Sequence, residues 1–327
     1  MSTSPSAPRW TLRGFTDAAL SVGLLGALGL CLLTAAAFAG QLHWLLEITT
    51  HFRPHYGLLL LACAAIYALA RRPRWAGVFA VFAMLDIDVL IPRFIPHDRA
   101  PADAPHLKLL IANVQTENRN HAALLDLITR ERPDVIALLE VNNTWLTAMA
   151  PLAQSHPHVV RVARSDNFGI AVFSRLPLSD IQTLYLSAAE VPSIRTTLTL
   201  ANSNRVTLLA THPLPPGSAE GQRLRDEQLA QIAGWSASAP LSAIVLGDLN
   251  CAPWSPSFRR LLTDGALADT GYGIAPTWPV SPWYLRIPLD HCLTTRALSI
   301  VEHRIGPDIG SDHFPIIVTL AVPAASQ

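Results

Sequence analysis

Residues Ala18 to Ala39 form an unbroken run of 22 residues without a charge. A helix rises 1.5 Å per residue, so about 20 apolar residues cross the hydrocarbon core of a bilayer. The run therefore predicts a membrane-spanning helix. Tyr56–Ala70 and Trp75–Ile91 are also apolar, the latter interrupted by Asp86 and Asp88, and they predict a second and a third span. Ala37-Phe38-Ala39 resembles a signal-peptidase site. The run before it is longer than a signal h-region and further apolar segments follow, so the sequence predicts an uncleaved anchor. Both acids of the third span are expected at the interface, where the helix ends early. The alternative is a buried pair contacting Arg53 or His51.

Basic residues near the span ends set the orientation. Arg9 and Arg13 precede the first span, and Arg71, Arg72 and Arg74 fill the loop between the second and third. The intervening loop, Gln41 to His55, holds Arg53 alone. Three spans put the two basic clusters on one side, which is then cytoplasmic. Arg93 and Arg99, beyond the third span, count against this. The expectation is a multi-pass protein of the inner (cell) membrane whose C-terminal part lies outside the cytoplasm.

The chain divides accordingly. Residues 1–103 form the expected anchor, ending in a stretch stiffened by Pro92, Pro96 and Pro101. Residues 104–327 have ordinary globular composition. Overall, 15% of residues are charged, 50% are apolar and the formal net charge is zero, which excludes a disordered chain and a strongly basic nucleic-acid coat. Four cysteines without repeated spacing exclude a disulfide framework and a zinc ribbon.

Within the second part, short apolar runs read as buried strands, at Leu107–Val114, Val135–Leu139 and Leu241–Leu246. Hairpin-like strands fill 159–210, and more close the chain. Helices are expected at His121–Arg132, Asn142–Leu152, Ser218–Trp235 and Ser255–Leu262. The mixture predicts an α/β fold, with two sheets packed face to face and helices outside.

Polar residues recur at the ends of the apolar strands: Asn113, Glu140, His212, Asp248 with Asn250, Asp290 with His291, and Asp312 with His313. Carboxylates and an amide are hard oxygen donors that suit Mg²⁺ or Mn²⁺ better than zinc. No zinc-peptidase helix motif, serine-hydrolase elbow or nucleotide-binding lysine loop is present.

The order Asn113-Val, Leu139-Glu140, Thr211-His212, Gly247-Asp248-Leu-Asn250, Leu289-Asp290-His291 and Ser311-Asp312-His313 resembles the endonuclease/exonuclease/phosphatase family. The resemblance covers Leu107 to Leu320, and the whole looks like a membrane-anchored bacterial subgroup. It implies a four-layer α/β/β/α sandwich, here preceded by about three transmembrane helices. It also implies divalent-metal-dependent hydrolysis of a phosphate ester, with nucleic acid, a phospholipid head group or a small molecule as the substrate classes. Asn113, Glu140 and Asp312 would hold the metal. Asp248 would be the general base, with Asn250 orienting phosphate or water. His313, held by Asp290, would act on a phosphoryl oxygen, and His212 would contact phosphate or protonate the leaving oxygen. Only Asp166 or Asn167 offers itself as a partner for His212. The rival reading is a non-catalytic membrane protein that binds phosphorylated ligands through the same fold, and the intact residue set argues against it.

Other residues carry blander expectations. His291 reads as a satisfied surface histidine, Arg195 as solvated, and Trp254 and Trp278 as packing residues or substrate stackers. Cys251 and Cys292 read as buried free thiols. The Pro-rich stretch His212–Gly217 is expected to shape the entrance to the site.

Overall fold

A computed structural model describes residues 12–96, 104–200, 203–295 and 297–322. Arg9 and the linker residues 97–103, with Arg99 and Pro101, lie outside the described residues. Three long helices come first: α1 (Leu12–Phe38), α3 (Arg53–Leu69) and α4 (Pro73–Leu90). They pack around Ala27, Cys31, Leu60, Tyr67, Phe79 and Ala83, where small side chains let the helices approach closely. The first run and Pro73–Phe94 are each long and apolar enough to cross a membrane.

The segment expected as a plain loop contains a further helix, α2 (Trp44–His51), capped by His43. It meets α3 at 65°, and the bent pair passes the same test of length and apolarity only when taken together. For Asp86 the expected interfacial placement is corrected, and the alternative of a buried acid contacting Arg53 holds. The helix does not end early but runs on to Leu90, and Asp86 turns into the bundle. There it accepts from Arg53 at 3.0 Å and from Thr34 at 2.7 Å, all three residues being fully buried. An unpaired carboxylate at that depth would carry a large desolvation cost, which the guanidinium offsets. Asp88 remains exposed.

Two six-stranded sheets follow. The first contains β1 (His106–Asn113), β2 (Val135–Leu139), β3 (His158–Val162), β4 (Ile170–Ser174), β11 (Ser299–Ile305) and β12 (Ile316–Ala321), in the order β11-β12-β1-β2-β4-β3. The second contains β5 (Leu178–Tyr185), β6 (Pro192–Thr199), β7 (Arg205–Ala210), β8 (Ser242–Asp248), β9 (Leu267–Asp269) and β10 (Asp290–Thr295), in the order β5-β6-β7-β8-β10-β9.

Strand periodicity explains why the central strands are apolar on both faces. Leu109 and Ile111 of β1, and Ile244 and Leu246 of β8, point into the core between the sheets. The alternate residues Leu110 and Ala112 face outward, under α5 (His121–Glu131) and α6 (Asn143–Ala148). Val245 faces the helices α7 (Ala219–Ala237) and α8 (Pro256–Asp264). The result is the expected four-layer α/β/β/α sandwich. Two details differ from the sequence reading. The helix expected over Asn142–Leu152 breaks at Met149 into α6 and a 3-10 turn, Ala150–Gln154, with Pro151 near its start. The short β9 was not foreseen.

Only β1/β2 and β7/β8 pair in parallel among the described strands. Each parallel pair brings two strand C-termini to the same edge, which is where the polar strand-end residues lie.

Candidate active site

The first sheet supplies Asn113, the last residue of β1, and Glu140, which follows β2. Asn113 donates to Glu140 Oε1 at 2.9 Å and to Asp248 Oδ2, of the other sheet, at 3.3 Å. Glu140 sits at φ 62°, a left-handed conformation that lifts its carboxylate off the line of β2. The Thr116 amide reaches its other oxygen at 3.4 Å. Burial pushes the Glu140 carboxyl up, and repulsion from Asp312 adds to this against the hydrogen bonds.

The second sheet supplies His212 after β7, Asp248 at the end of β8 and Asp290 at the start of β10. Asp248 and Asp290 are direct cross-strand partners. Gly247 lies at φ +142°, and a Cβ there would come within 1.9 Å of the Thr211 carbonyl. Glycine is therefore required for β8 to run against the Thr211-His212 backbone. Asp248 Oδ1 accepts from the Asn250 amide at 2.9 Å, and the Asn250 side chain donates to the Pro213 carbonyl at 2.9 Å. Asn250 thus fixes both the carboxylate and the Pro-rich loop.

His313 joins the two halves. Its Nδ1 lies 2.8 Å from Asp290 Oδ2 and its Nε2 lies 3.6 Å from Asp248 Oδ2. Ser311 donates to the Asn113 carbonyl and accepts from the His313 amide, which pins this loop to β1. Burial disfavours an imidazolium here, but Asp290 and Asp248 outweigh it and hold His313 well above its usual range. Burial likewise opposes ionisation of Asp290, and His313 outweighs it and holds this carboxyl low. Burial pushes Asp248 up, aided by Asp290 and Glu140 against His313.

His212 differs. Its Nε2 lies 3.5 Å from Asp248 Oδ2, and its buried Nδ1 has no partner. Burial and the charge of His313 press it down to about 4, so it is neutral. The partner expected at Asp166 is corrected: that carboxylate is held by Arg164, and Phe168 packs beside the His212 ring instead.

The structure thus brings together every predicted site residue. Asp312 accepts from Trp278 Nε1 at 3.0 Å and lines the same cleft. The cleft encloses about 490 Å³, and Pro215, Pro216 and Gly217 form part of its rim, as the Pro-rich stretch foretold. Two sets of donors bear on a cation. The ligand atoms of Asp248, Asp290 and His313 lie within 4.8 Å of one another. A protonated His313, however, has no lone pair on either ring nitrogen, and it already neutralises these carboxylates. Glu140 and Asp312 repel one another and are only partly offset by the His313 imidazolium, and with the Asn113 side chain they offer hard oxygen donors that fit a divalent ion.

His291 is satisfied but not at the surface. It is buried, 2.9 Å from the Cys251 carbonyl, with its ring against Phe258. Cys251 and Cys292 are buried free thiols, as expected. Trp254 is a packing residue, donating to the Thr50 carbonyl at 2.7 Å. Arg195 lies beside Gln182 and Trp235, away from the cleft. Sequence reasoning missed the contribution of α2: Ile48, His51 and Phe52 line the cleft. An eight-residue helix between two spans gives little periodic signal.

Residues 110–313 match the Endonuclease/Exonuclease/phosphatase family, and the chain belongs to it. Solved structures share the fold at low identity. The endonuclease/exonuclease/phosphatase family protein from Bacteroides thetaiotaomicron aligns with a TM-score of 0.57 and 17% identity, over 68% of this chain and 99% of that one. Humanized D. rerio TDP2 gives 0.56 and 15%, over 66% and 99%. The human Nocturnin catalytic domain gives 0.56 and 17%, over 67% and 96%. No curated protein matches the sequence.

Proposed function

We propose that the chain is a membrane-anchored, divalent-metal-dependent hydrolase of phosphate esters, with residues 1–103 as anchor and 104–327 as catalytic domain. The supporting observation is His313 held between Asp290 and Asp248, beside the Asn113–Glu140 pair, at the meeting of two sheets. Glu140, Asn113 and Asp312 would hold Mg²⁺ or Mn²⁺. When bound, the ion withdraws charge from the phosphate oxygens and makes the ester more susceptible to attack.

Asp248 is the base. It is buried and its carboxyl is raised, so it accepts a proton from an attacking water more readily than an exposed aspartate. Its second oxygen is fixed by the Asn250 amide, which leaves Oδ2 facing Asn113, His212 and His313. The imidazolium of His313 donates to a phosphoryl oxygen as negative charge grows there, and Asp290 holds its ring and charge. Neutral His212 offers an N–H to phosphate or to the leaving oxygen. We place α1, α3 and α4 across the inner membrane and the sandwich outside the cytoplasm, on the distribution of arginines.

Asp248→Asn tests the base. The substitution keeps size and hydrogen bonding but removes the proton acceptor. Turnover of a fluorogenic phosphodiester by the full-length chain is expected to fall by about 10²-fold or more, with an unchanged unfolding midpoint. Near-wild-type turnover would remove Asp248 from this role.

A further inference from the structure

The helix α2 belongs to the anchor in sequence but to the cleft in space. Glu47 is buried and pairs with Arg225 of α7 at 2.6 Å, also accepting from Ser257 at 2.6 Å and Gln222 at 2.5 Å. Thr50 accepts from Trp254. These contacts fix α2 against the sandwich, so the face carrying Ile48, His51 and Phe52 forms one wall of the cleft. His51 is only 6% exposed, and its Nε2 has no partner. A buried polar nitrogen lining a cleft, on a helix tied down by an ion pair, points to a ligand that supplies its hydrogen bond.

The position of this wall bears on what enters. It lies at the end of the bundle where α1 finishes and α3 begins, which in the membrane placement proposed above is the level at which lipid head groups meet water. Around the same level the molecule exposes aromatic side chains. Trp283 and Tyr284 are 74% and 58% exposed, and the Tyr284 backbone sits against His55 at the start of α3. After α4, half-exposed Phe94 packs edge-on against Tyr272. Trp and Tyr favour that interface, where an apolar ring body and a polar edge are both satisfied. Among the described residues the cleft is lined by no Lys or Arg, the side chains that neutralise successive phosphates of a polynucleotide.

From this juxtaposition we infer that the substrate is the phosphoester head group of a bilayer amphiphile, which enters between α2 and the sheet edges with His51 on its polar part and Ile48 and Phe52 against its apolar part. This rests on the reading of the site as a phosphoester hydrolase and names its substrate class.

The test compares matched lipid and water-soluble esters. Full-length protein is reconstituted into phosphatidylcholine vesicles containing phosphatidylglycerol or phosphatidic acid. It is assayed with Mg²⁺ against these lipids and against their deacylated counterparts, glycerophosphoglycerol and glycerol 3-phosphate, with bis(p-nitrophenyl) phosphate as a generic diester. The expected result is turnover of a vesicle lipid with kcat/KM at least tenfold above its deacylated counterpart. His51→Ala is expected to lower lipid turnover by tenfold or more, and His51→Gln, which restores a hydrogen-bonding group, to recover part of it at an unchanged unfolding midpoint. Turnover of the soluble esters with the lipids untouched, or equal efficiency on lipid and deacylated ester, would overturn the inference and leave the hydrolase reading standing. Lipid turnover indifferent to His51→Ala would overturn the role of α2. Hydrolysis of none of these esters would overturn the hydrolase reading and this inference with it.

Discussion

Glu140 shows how one residue acquires a function from backbone, burial and neighbours together. Its strand is wholly buried, its φ is positive, and two donors, Asn113 and Thr116, hold a carboxylate that burial alone would neutralise. Asp312 adds repulsion that the His313 imidazolium offsets in part and that a divalent ion would relieve further. Glu140→Gln keeps the Asn113 contact in shape but removes a negative charge, so Mg²⁺ affinity is expected to fall by tenfold or more, with a smaller effect on substrate KM. Calorimetric titration of the two proteins with Mg²⁺ checks this, and unchanged binding would move the metal site elsewhere. Such residues are legible in the sequence because each stands beside a short apolar run, where a lone acid, amide or histidine stands out. His51 was not legible. Nothing in Glu-Ile-Thr-Thr-His-Phe distinguishes a cleft wall from a loop, and its role depends on Glu47 finding Arg225, 178 positions away.

At the scale of elements, the sandwich strands could be read from the sequence because burial on both faces leaves unbroken apolar runs. β9, at three residues, is too short to leave such a run. The short helix α2 is held by tertiary contacts, with the Glu47–Arg225 pair at their centre. Both partners are fully buried, so removing Glu47 leaves the buried guanidinium with only the part-exposed Asp226 as its counter-charge, at a cost of up to about 3–5 kcal/mol. Glu47→Gln is therefore expected to lower the denaturant midpoint of the full chain markedly. The double change Glu47→Leu with Arg225→Met is expected to restore most of the loss, since an apolar pair carries no desolvation penalty. Denaturation followed by circular dichroism in detergent distinguishes these outcomes. A single variant as stable as the wild type would show that α2 is held by other contacts.

For the whole molecule, the N-terminal helices and the sandwich meet at the cleft, because α2 forms one of its walls. The proposed orientation rests on Arg71 and Arg72 in the short α3–α4 connection and Arg74 in the first turn of α4, at the end of the helices opposite the cleft. An alkaline-phosphatase reporter fused after Gln327 is expected to be active, and a fluorescent protein that matures only in the cytoplasm is expected to stay dark. The reverse pattern would place the site inside the cell. The claim on which the rest depends is that this cleft hydrolyses phosphate esters with a divalent ion. The most direct measurement is the initial rate of bis(p-nitrophenyl) phosphate and p-nitrophenyl phosphate hydrolysis by full-length protein as Mg²⁺ is titrated and then chelated. The account predicts a saturable rise with Mg²⁺ on at least one ester and loss of the rate on chelation. A rate indifferent to chelation, or no hydrolysis of either ester at saturating Mg²⁺ or Mn²⁺, would contradict it.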